Sequence, residues 1–270
     1  MIRIYILNDN RSRGRLFACE HGLSVLAQWG SESALLDFGQ TDTFARNARL
    51  MGLDLADVGT CILSHGHYDH SGGLHHLPPA AAPRTLFTGP GATIRRYSLS
   101  TAMLKPNGMP RPDDLRDFNL RTVSGILHVS DSLTLFTLPD DAPANPHLVV
   151  DAPGGQHAPD TFADELFALI RHGQTSLLYG GCTHHGLPQL LGFCRDSLHL
   201  DSLTAFVGGL HLSGRTPDEV RLYADQAERI MHVDRWIVNH CTGTDAVDYW
   251  ARRFGSSPSD GFAGSIVDIG

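Results

Sequence analysis

From Ser64 to Leu74 the chain reads Ser64-His65-Gly66-His67-Tyr68-Asp69-His70-Ser71-Gly72-Gly73-Leu74, placing three histidines and an aspartate within six residues. Imidazole nitrogen and carboxylate oxygen are the donors that zinc, iron and manganese accept. His65 and His67 stand at i and i+2, so in an extended segment they face the same way and can grip one metal. Asp69 and His70 follow once the chain turns at Gly66, and can be aimed at a second point nearby. Gly72 and Gly73 then let the backbone pass close to the site and turn into a helix. Left without a cation, four such groups at one spot would concentrate charge and desolvation cost. The motif therefore reads as a metal site.

Further donors end short apolar runs. Leu177-Leu178-Tyr179-Gly180-Gly181-Cys182-Thr183-His184-His185, Phe206-Val207-Gly208-Gly209-Leu210-His211 and Trp236-Ile237-Val238-Asn239-His240-Cys241 each set a histidine just past a strand. Ligand sites of α/β architectures gather at the carboxyl ends of strands, so these ends are expected to converge on the first cluster. His184, His211 and His240 then become ligands or direct neighbours of the metal. The remaining histidines are read as non-ligands, with His21 the one to watch and His157 a weak alternative.

The elements that must carry these groups follow from periodicity and punctuation. Strands are expected at 2–7, 23–28, 34–36, 60–63, 84–87, 120–123, 126–129, 133–138, 166–170, 176–179, 203–207, 236–238 and 266–269. A helix capped by Thr41 or Asp42 runs to about Met51 and stops at Gly52. Pro188 opens a helix to about Leu200. Thr216-Pro217-Asp218-Glu219 is a capping box with proline at N1, and Thr244 is expected to cap a last helix to Phe254. Residues 98–118 and 139–160 read as long loops, the first as a cover over the substrate. Runs of strands followed by strands alternating with helices predict an αββα sandwich: two mixed β-sheets packed together, helices on the outer faces, in a single domain over 1–270.

Composition narrows the classes. The chain is 41% hydrophobic and 19% charged, as a globular protein is. Its net charge of −8 leaves no basic excess for neutralising phosphates, so no nucleic-acid partner is expected. No apolar run nears the roughly 20 residues of a membrane span, and the N-terminus reads as a strand and not as a signal peptide. Five cysteines at irregular spacing read as free thiols of a reducing compartment. A cytoplasmic protein with no membrane partner is expected.

The Ser64–Leu74 stretch resembles the hallmark of the metallo-β-lactamase fold superfamily. With Glu20-His21-Gly22-Leu23-Ser24, Asp37-Phe38-Gly39, Gly181-Cys182-Thr183-His184, Gly208-Gly209-Leu210-His211-Leu212 and His240-Cys241-Thr242-Gly243, the chain is similar to one of its subfamilies. That subfamily takes its name from the synthase of dihydropterin-methyl-ribofuranosylaminobenzene phosphate. The resemblance implies two divalent metal ions, zinc first, iron or manganese otherwise. It places His65 and His67 on one metal and Asp69 and His70 on the other, with His184 and His240 as the remaining histidines. Cys182 stands where the superfamily often has a bridging aspartate, which makes it a further candidate ligand.

Such a centre implies hydrolysis by a metal-activated water. Asp69 would orient the water, and His211 would donate to a leaving group or oxyanion. An ester, a phosphoester foremost, suits the site, and the partner is a small-molecule substrate, phosphorylated or not. Arg95 and Arg96 are candidates for a phosphate contact. The alternatives are a synthase that joins a pterin to a ribofuranosylaminobenzene phosphate with the metals as Lewis acids, and a non-catalytic metal- or ligand-sensing module.

Overall fold

The first strand shows how the layers arise. In β1 (Ile2–Asn8), Ile2, Ile4 and Ile6 point to one side, Tyr5 and Leu7 to the other, and all five are buried. Period two here sorts side chains between two cores, not between core and water. The computed structural model describes residues 1–100, 103–143 and 145–270. After β1 come β2 (Ser24–Trp29), β3 (Glu32–Leu36), helix α1 (Thr43–Leu50), β4 (Thr60–Ile62) and a single helical turn, α2 (Tyr68–Ser71). Then follow β5 (Thr85–Thr88), β6 (Arg96–Leu99), β7 (Leu104–Pro106), β8 (Asn119–Thr122), β9 (Ile126–His128) and β10 (Leu133–Thr137). Strands β11 (Leu148–Ala152), β12 (Gln156–Pro159), β13 (Leu166–His172) and β14 (Thr175–Gly180) lead to α3 (Leu187–Asp196). The chain ends with β15 (Ser202–Gly209), α4 (Pro217–Ile230), β16 (His232–Asn239), α5 (Thr244–Phe254) and β17 (Ile266–Ile269).

One sheet has the order β17-β1-β2-β3-β4-β5-β8, the other β16-β15-β14-β13-β10-β9. Both are mixed: β17 through β3 run antiparallel and β3, β4, β5 and β8 parallel, while β16, β15 and β14 are parallel and β14 through β9 antiparallel. Between them lies a core that includes Ile4, Ile62, Phe87, Leu135, Tyr179 and Val207. Helix α1 packs Phe44 and Ala48 on the outer face of the first sheet. Helices α3, α4 and α5 pack Leu190, Ala224 and Trp250 on the outer face of the second. The αββα sandwich is therefore present. No helix among the described residues is long and apolar enough to cross a membrane.

Several local expectations are corrected. The helix near the metal motif is α2 itself, which contains Asp69 and His70; Gly72 and Gly73 end it. A Cβ on Gly73 would lie 2.0 Å from the Phe38 carbonyl oxygen, so close backbone approach is what that glycine permits. Helix α3 stops at Asp196, short of Leu200. Thr244 is the first residue of α5, with Gly243 at the cap position, so its hydroxyl caps nothing. Asp42 likewise precedes α1 without a side-chain cap bond. The capping box of Thr216 and Glu219 is formed at both ends.

The largest correction concerns the two long loops. Their described parts pair with each other in a third sheet, β12-β11-β6-β7; Thr101 and Ala102 of the first loop and Ala144 of the second lie outside the described residues. Proline at 106, 153 and 159 and largely solvent-facing side chains hide these strands from period-two reading. Arg96 anchors this sheet. Its guanidinium is buried, with Nε 2.9 Å from Asp160 Oδ2 and Nη2 2.6 Å from Asp164 Oδ1. It is thus a structural cation with no room for a substrate phosphate, while Arg95 is exposed. Arg96→Ala would leave two buried carboxylates uncompensated. It should lower the free energy of unfolding by about 3–5 kcal/mol, read from urea midpoints at unchanged slope.

Candidate metal centre

Parallel strands of both sheets end at one rim, and the donor groups sit in the turns that follow. Asp37 follows β3, His65 follows β4, Cys182 follows β14, His211 follows β15 and His240 follows β16. Among the described residues, five of the six non-glycine residues with positive φ are here: Asp37 at 56°, Phe162 at 53°, Thr183 at 55°, His211 at 51° and His240 at 50°. Left-handed backbone at non-glycine positions costs on the order of 1–3 kcal/mol each and persists where surrounding contacts enforce it.

His65, His67 and His184 form one set, their ring centroids 4.6, 5.0 and 5.3 Å apart. Nε2 of each ring is buried and has no hydrogen-bond partner. Such an orphaned buried nitrogen costs about 1–3 kcal/mol, and a lone pair aimed at a cation is its natural use. Tautomers support this for His65: Ser64 Oγ donates to Asp37 Oδ2 at 2.6 Å, so it accepts from His65 Nδ1 at 2.9 Å and leaves Nε2 unprotonated. Burial pushes the imidazolium pKa of His65 and His184 far down and that of His67 to about 3. All three are therefore neutral, the form that binds metal. Phe162 stacks on His184 at 3.7 Å, and the Glu165 carboxylate accepts the His184 backbone N–H at 2.6 Å.

Asp69, His70 and His240 form the second set. His70 Nε2 lies 3.2 Å from His240 Nε2, and His240 Nε2 lies 3.3 Å from Asp69 Oδ2. His21, read from sequence as a non-ligand, joins them with Nε2 3.1 Å from Asp69 Oδ2. Asp37 Oδ2 takes the other nitrogen of His70 at 2.6 Å, and Asn10 Oδ1 takes that of His240 at 2.9 Å. Asp9 Oδ1 accepts the His240 backbone N–H at 2.7 Å. Burial opposes a charge on His70, but the carboxylates of Asp37 and Asp69 outweigh it and raise its pKa to about 9. Burial also opposes ionisation of Asp69, yet His70, His21 and His240 hold it well below the ordinary carboxylate range.

Cys182 joins the sets. Its sulfur groups with ligand atoms of His65 and His184 on one side and of His70 and His240 on the other, each group spanning less than 4.8 Å. The His70 Nε2 contact is 3.2 Å. The thiol thus lies between the two donor sets, and the donors present suit divalent metal ions. His211 is exposed beside His184, ring centroids 4.6 Å apart. His157 is remote, near Asp151 and Tyr97.

A cavity of about 670 Å³ opens over both sets. Ser98, Leu99 and Asn107 from the β6–β7 segment and Leu148 from β11 line it, so the predicted cover is the third sheet. Arg11 lines this cavity; Arg95 and Arg96 do not.

Missed by sequence reading were the orienting groups: Asp37, taken as a strand end, with Asp9, Asn10 and Glu165. The available signal was a polar residue immediately next to a buried strand, which must find a partner.

Residues 19–86 match the family model of the metallo-beta-lactamase superfamily. The chain is 26% identical to MJ0448, an uncharacterized protein of Methanocaldococcus jannaschii, over 90% of this chain and 92% of that one. It is 24% identical to the same organism's 7,8-dihydropterin-6-methyl-4-(beta-D-ribofuranosyl)-aminobenzene-5'-phosphate synthase, over 98% of this chain and 96% of the relative. The structure of Tm1679, described as a metal-dependent hydrolase of the beta-lactamase superfamily, superimposes with a TM-score of 0.82 at 27% identity, covering 100% of this chain and 99% of that one. YhfI from Bacillus subtilis shares the fold at a TM-score of 0.53 and 13% identity, over 99% of this chain and 100% of that one. Residues 19–86 thus match the metallo-beta-lactamase superfamily domain, and the chain has the fold of that superfamily. Its relationship to MJ0448 and to the synthase is distant homology.

Asp37→Asn tests the orienting carboxylate. Asparagine tolerates the left-handed backbone but sets an NH2 against hydrogen-bond donors, so stability should fall by about 1–3 kcal/mol and metal affinity about 10- to 100-fold, read from urea midpoints and from competition with a chromophoric chelator.

Proposed function

We propose that this protein is a binuclear metal-dependent hydrolase acting on a small ester, most of all a phosphoester. The observation that carries the reading is the pair of donor sets joined by Cys182 beneath one cavity. Divalent cations bound there, zinc first given the nitrogen and sulfur donors, would polarise the scissile oxygen and bring a water's pKa toward neutrality. The protein supplies the rest. Asp69, ionised and close to His21 and His240, has a fixed carboxylate that can orient the attacking water. His211 faces the cavity and can give a proton to the leaving oxygen.

A phosphate has one guanidinium to meet. Arg11 lines the cavity, rests over the Phe262 ring at 4.3 Å, and is in no ion pair among the described residues. Its charge is thus available to an anionic substrate. Resemblance to Tm1679, itself described as a hydrolase, supports the same reading.

A second reading is favoured by the synthase relative, which matches nearly the whole chain and whose name includes a 5'-phosphate. In that case the same cations act as Lewis acids on a phosphorylated substrate and no water is consumed. Arg11 would serve either reaction.

Elemental analysis should find at least two metal equivalents in the wild type and a clear fall in His184→Ala. Asp69→Asn should lower turnover of the best phosphoester about 100- to 10,000-fold with circular dichroism unchanged. Equal, metal-dependent ligand binding without turnover in both forms would replace the enzyme with a sensing module. Arg11→Ala should raise KM about 10- to 100-fold for phosphorylated substrates, with kcat nearly constant. An unchanged KM would remove the phosphate from the reading.

A further inference from the structure

We propose that Cys182, Cys241 and His211 form a third, soft-donor cation site beside the histidine and aspartate sets, suited to a thiophilic divalent ion such as zinc. The three come from turns after β14, β16 and β15, and their ligand atoms all lie within 4.8 Å of one another. Tetrahedral coordination at ordinary zinc–sulfur and zinc–nitrogen bond lengths needs ligand separations of about 3.5–4 Å, so small side-chain rotations close the set. The Cys241 thiol already donates to the Cys182 backbone carbonyl at 3.7 Å, which holds it beside the Cys182 turn.

The backbone is cut to receive that thiol. A Cβ on Gly209 would stand 2.4 Å from Cys241 Sγ and 3.5 Å from Cys182 Cα, so any other residue at the end of β15 would expel the sulfur. His211 and His240, which flank the set, hold left-handed backbone. Strain of this kind persists only where contacts enforce it, and here it turns His211 toward the two thiols.

The bland reading of buried cysteine, a small apolar filler, fits Cys61 and Cys194. Those two sit in the outer cores among aliphatic and aromatic side chains, their thiols pushed up to about 12 by burial. Cys182 and Cys241 instead face imidazoles and each other. Neither is in a disulfide. Three protein ligands at a cavity wall also leave a fourth position open, the arrangement of reactive zinc sites and not of closed structural ones. His211 and Cys241 both line the cavity. An imidazole bound through one nitrogen keeps the other N–H, so His211 can serve this site and still donate to substrate. Cys182 is shared with the other sets, so an ion at the third site would draw its sulfur toward Cys241.

The hydrolase reading is not required for this site, and the test separates the two. Cobalt(II) would be titrated into metal-stripped wild type, Cys241→Ser, His211→Gln and His67→Ala, all checked for fold by circular dichroism. Thiolate ligation gives a sulfur-to-cobalt charge-transfer band in the near ultraviolet. The band is expected in wild type, to fall by about half in Cys241→Ser, where one of two thiolates is lost, to weaken in His211→Gln, and to survive in His67→Ala. A band of equal strength in wild type and Cys241→Ser would show Cys182 ligating alone and overturn the proposal, as would no band at all. Zinc should also shield Cys241 from a thiol-labelling disulfide; labelling as fast with zinc as without it counts against the site. No hydrolysis by the wild type with its band intact would instead refute the hydrolase reading alone.

Discussion

One carboxylate holds the centre together. Asp37 is fully buried at the end of β3 and accepts four hydrogen bonds: from the Ser64 N–H at 2.7 Å and, at 2.6 Å each, from Ser64 Oγ, His70 Nδ1 and Tyr179 Oη. Tyr179 belongs to the second sheet, so this side chain pins the two halves of the sandwich together at their rim. A buried carboxylate is tolerated only when nearly every lone pair is used and a counter-charge is near. Here the counter-charge is His70, held protonated by Asp37 and Asp69. A cation held by His70 Nε2 would displace that proton and keep the balance. Fold stability and metal affinity thus draw on the same atoms.

The same logic explains why ligands sit in strained turns. A strand end fixes Cα to within the accuracy of the sheet, but the side chain must still leave the sheet plane toward a shared point. Left-handed backbone at His240 does this, and its cost is offset by Asp9 and Asn10, which hold the backbone N–H and Nδ1. Second-sphere groups of this kind set ring orientation and tautomer. They come from the end of β1, some 230 residues away in sequence.

That separation marks where sequence stops being informative. His65, His67, Asp69 and His70 were readable because their spacing is itself the motif. His184 and His240 were readable because apolar runs reveal strands, and strand ends converge. Both layers of the sandwich followed from the same runs. Asp9, Asn10 and Asp37 were not readable, since a polar residue after a strand looks the same whether it ends a turn or orients a ligand. Beside His21, Glu20 turns away to Gln40 and Thr41, and only folding brings His21 to Asp69. Arg96 misled for a related reason. An Arg-Arg pair near a supposed loop suggests a phosphate, but Asp160 and Asp164 become its neighbours only when β6 and β11 pair. The strands of the third sheet escaped notice because they are short, because β7 and β12 carry proline, and because β6 finds β11 only across the intervening strands β7 to β10.

The third sheet walls the cavity while the sandwich carries the donor groups, yet the two are not independent. The donor groups ride on the sandwich, whose central strands are buried on both faces, whereas the facing cavity wall belongs to β6 and the segments beside it. The two are joined through a short polar chain. Arg96 of β6 pairs with Asp164, and Asp164 Oδ2 accepts the backbone N–H of Gly66, between His65 and His67, at 2.7 Å. Burial raises Asp164 to about 6 even beside this arginine, so the carboxylate is poorly hydrated and depends on both contacts. A displacement of the wall is therefore transmitted to the ligand loop by two bonds. The wall can vary in sequence to suit a different substrate only where it leaves Arg96 in place.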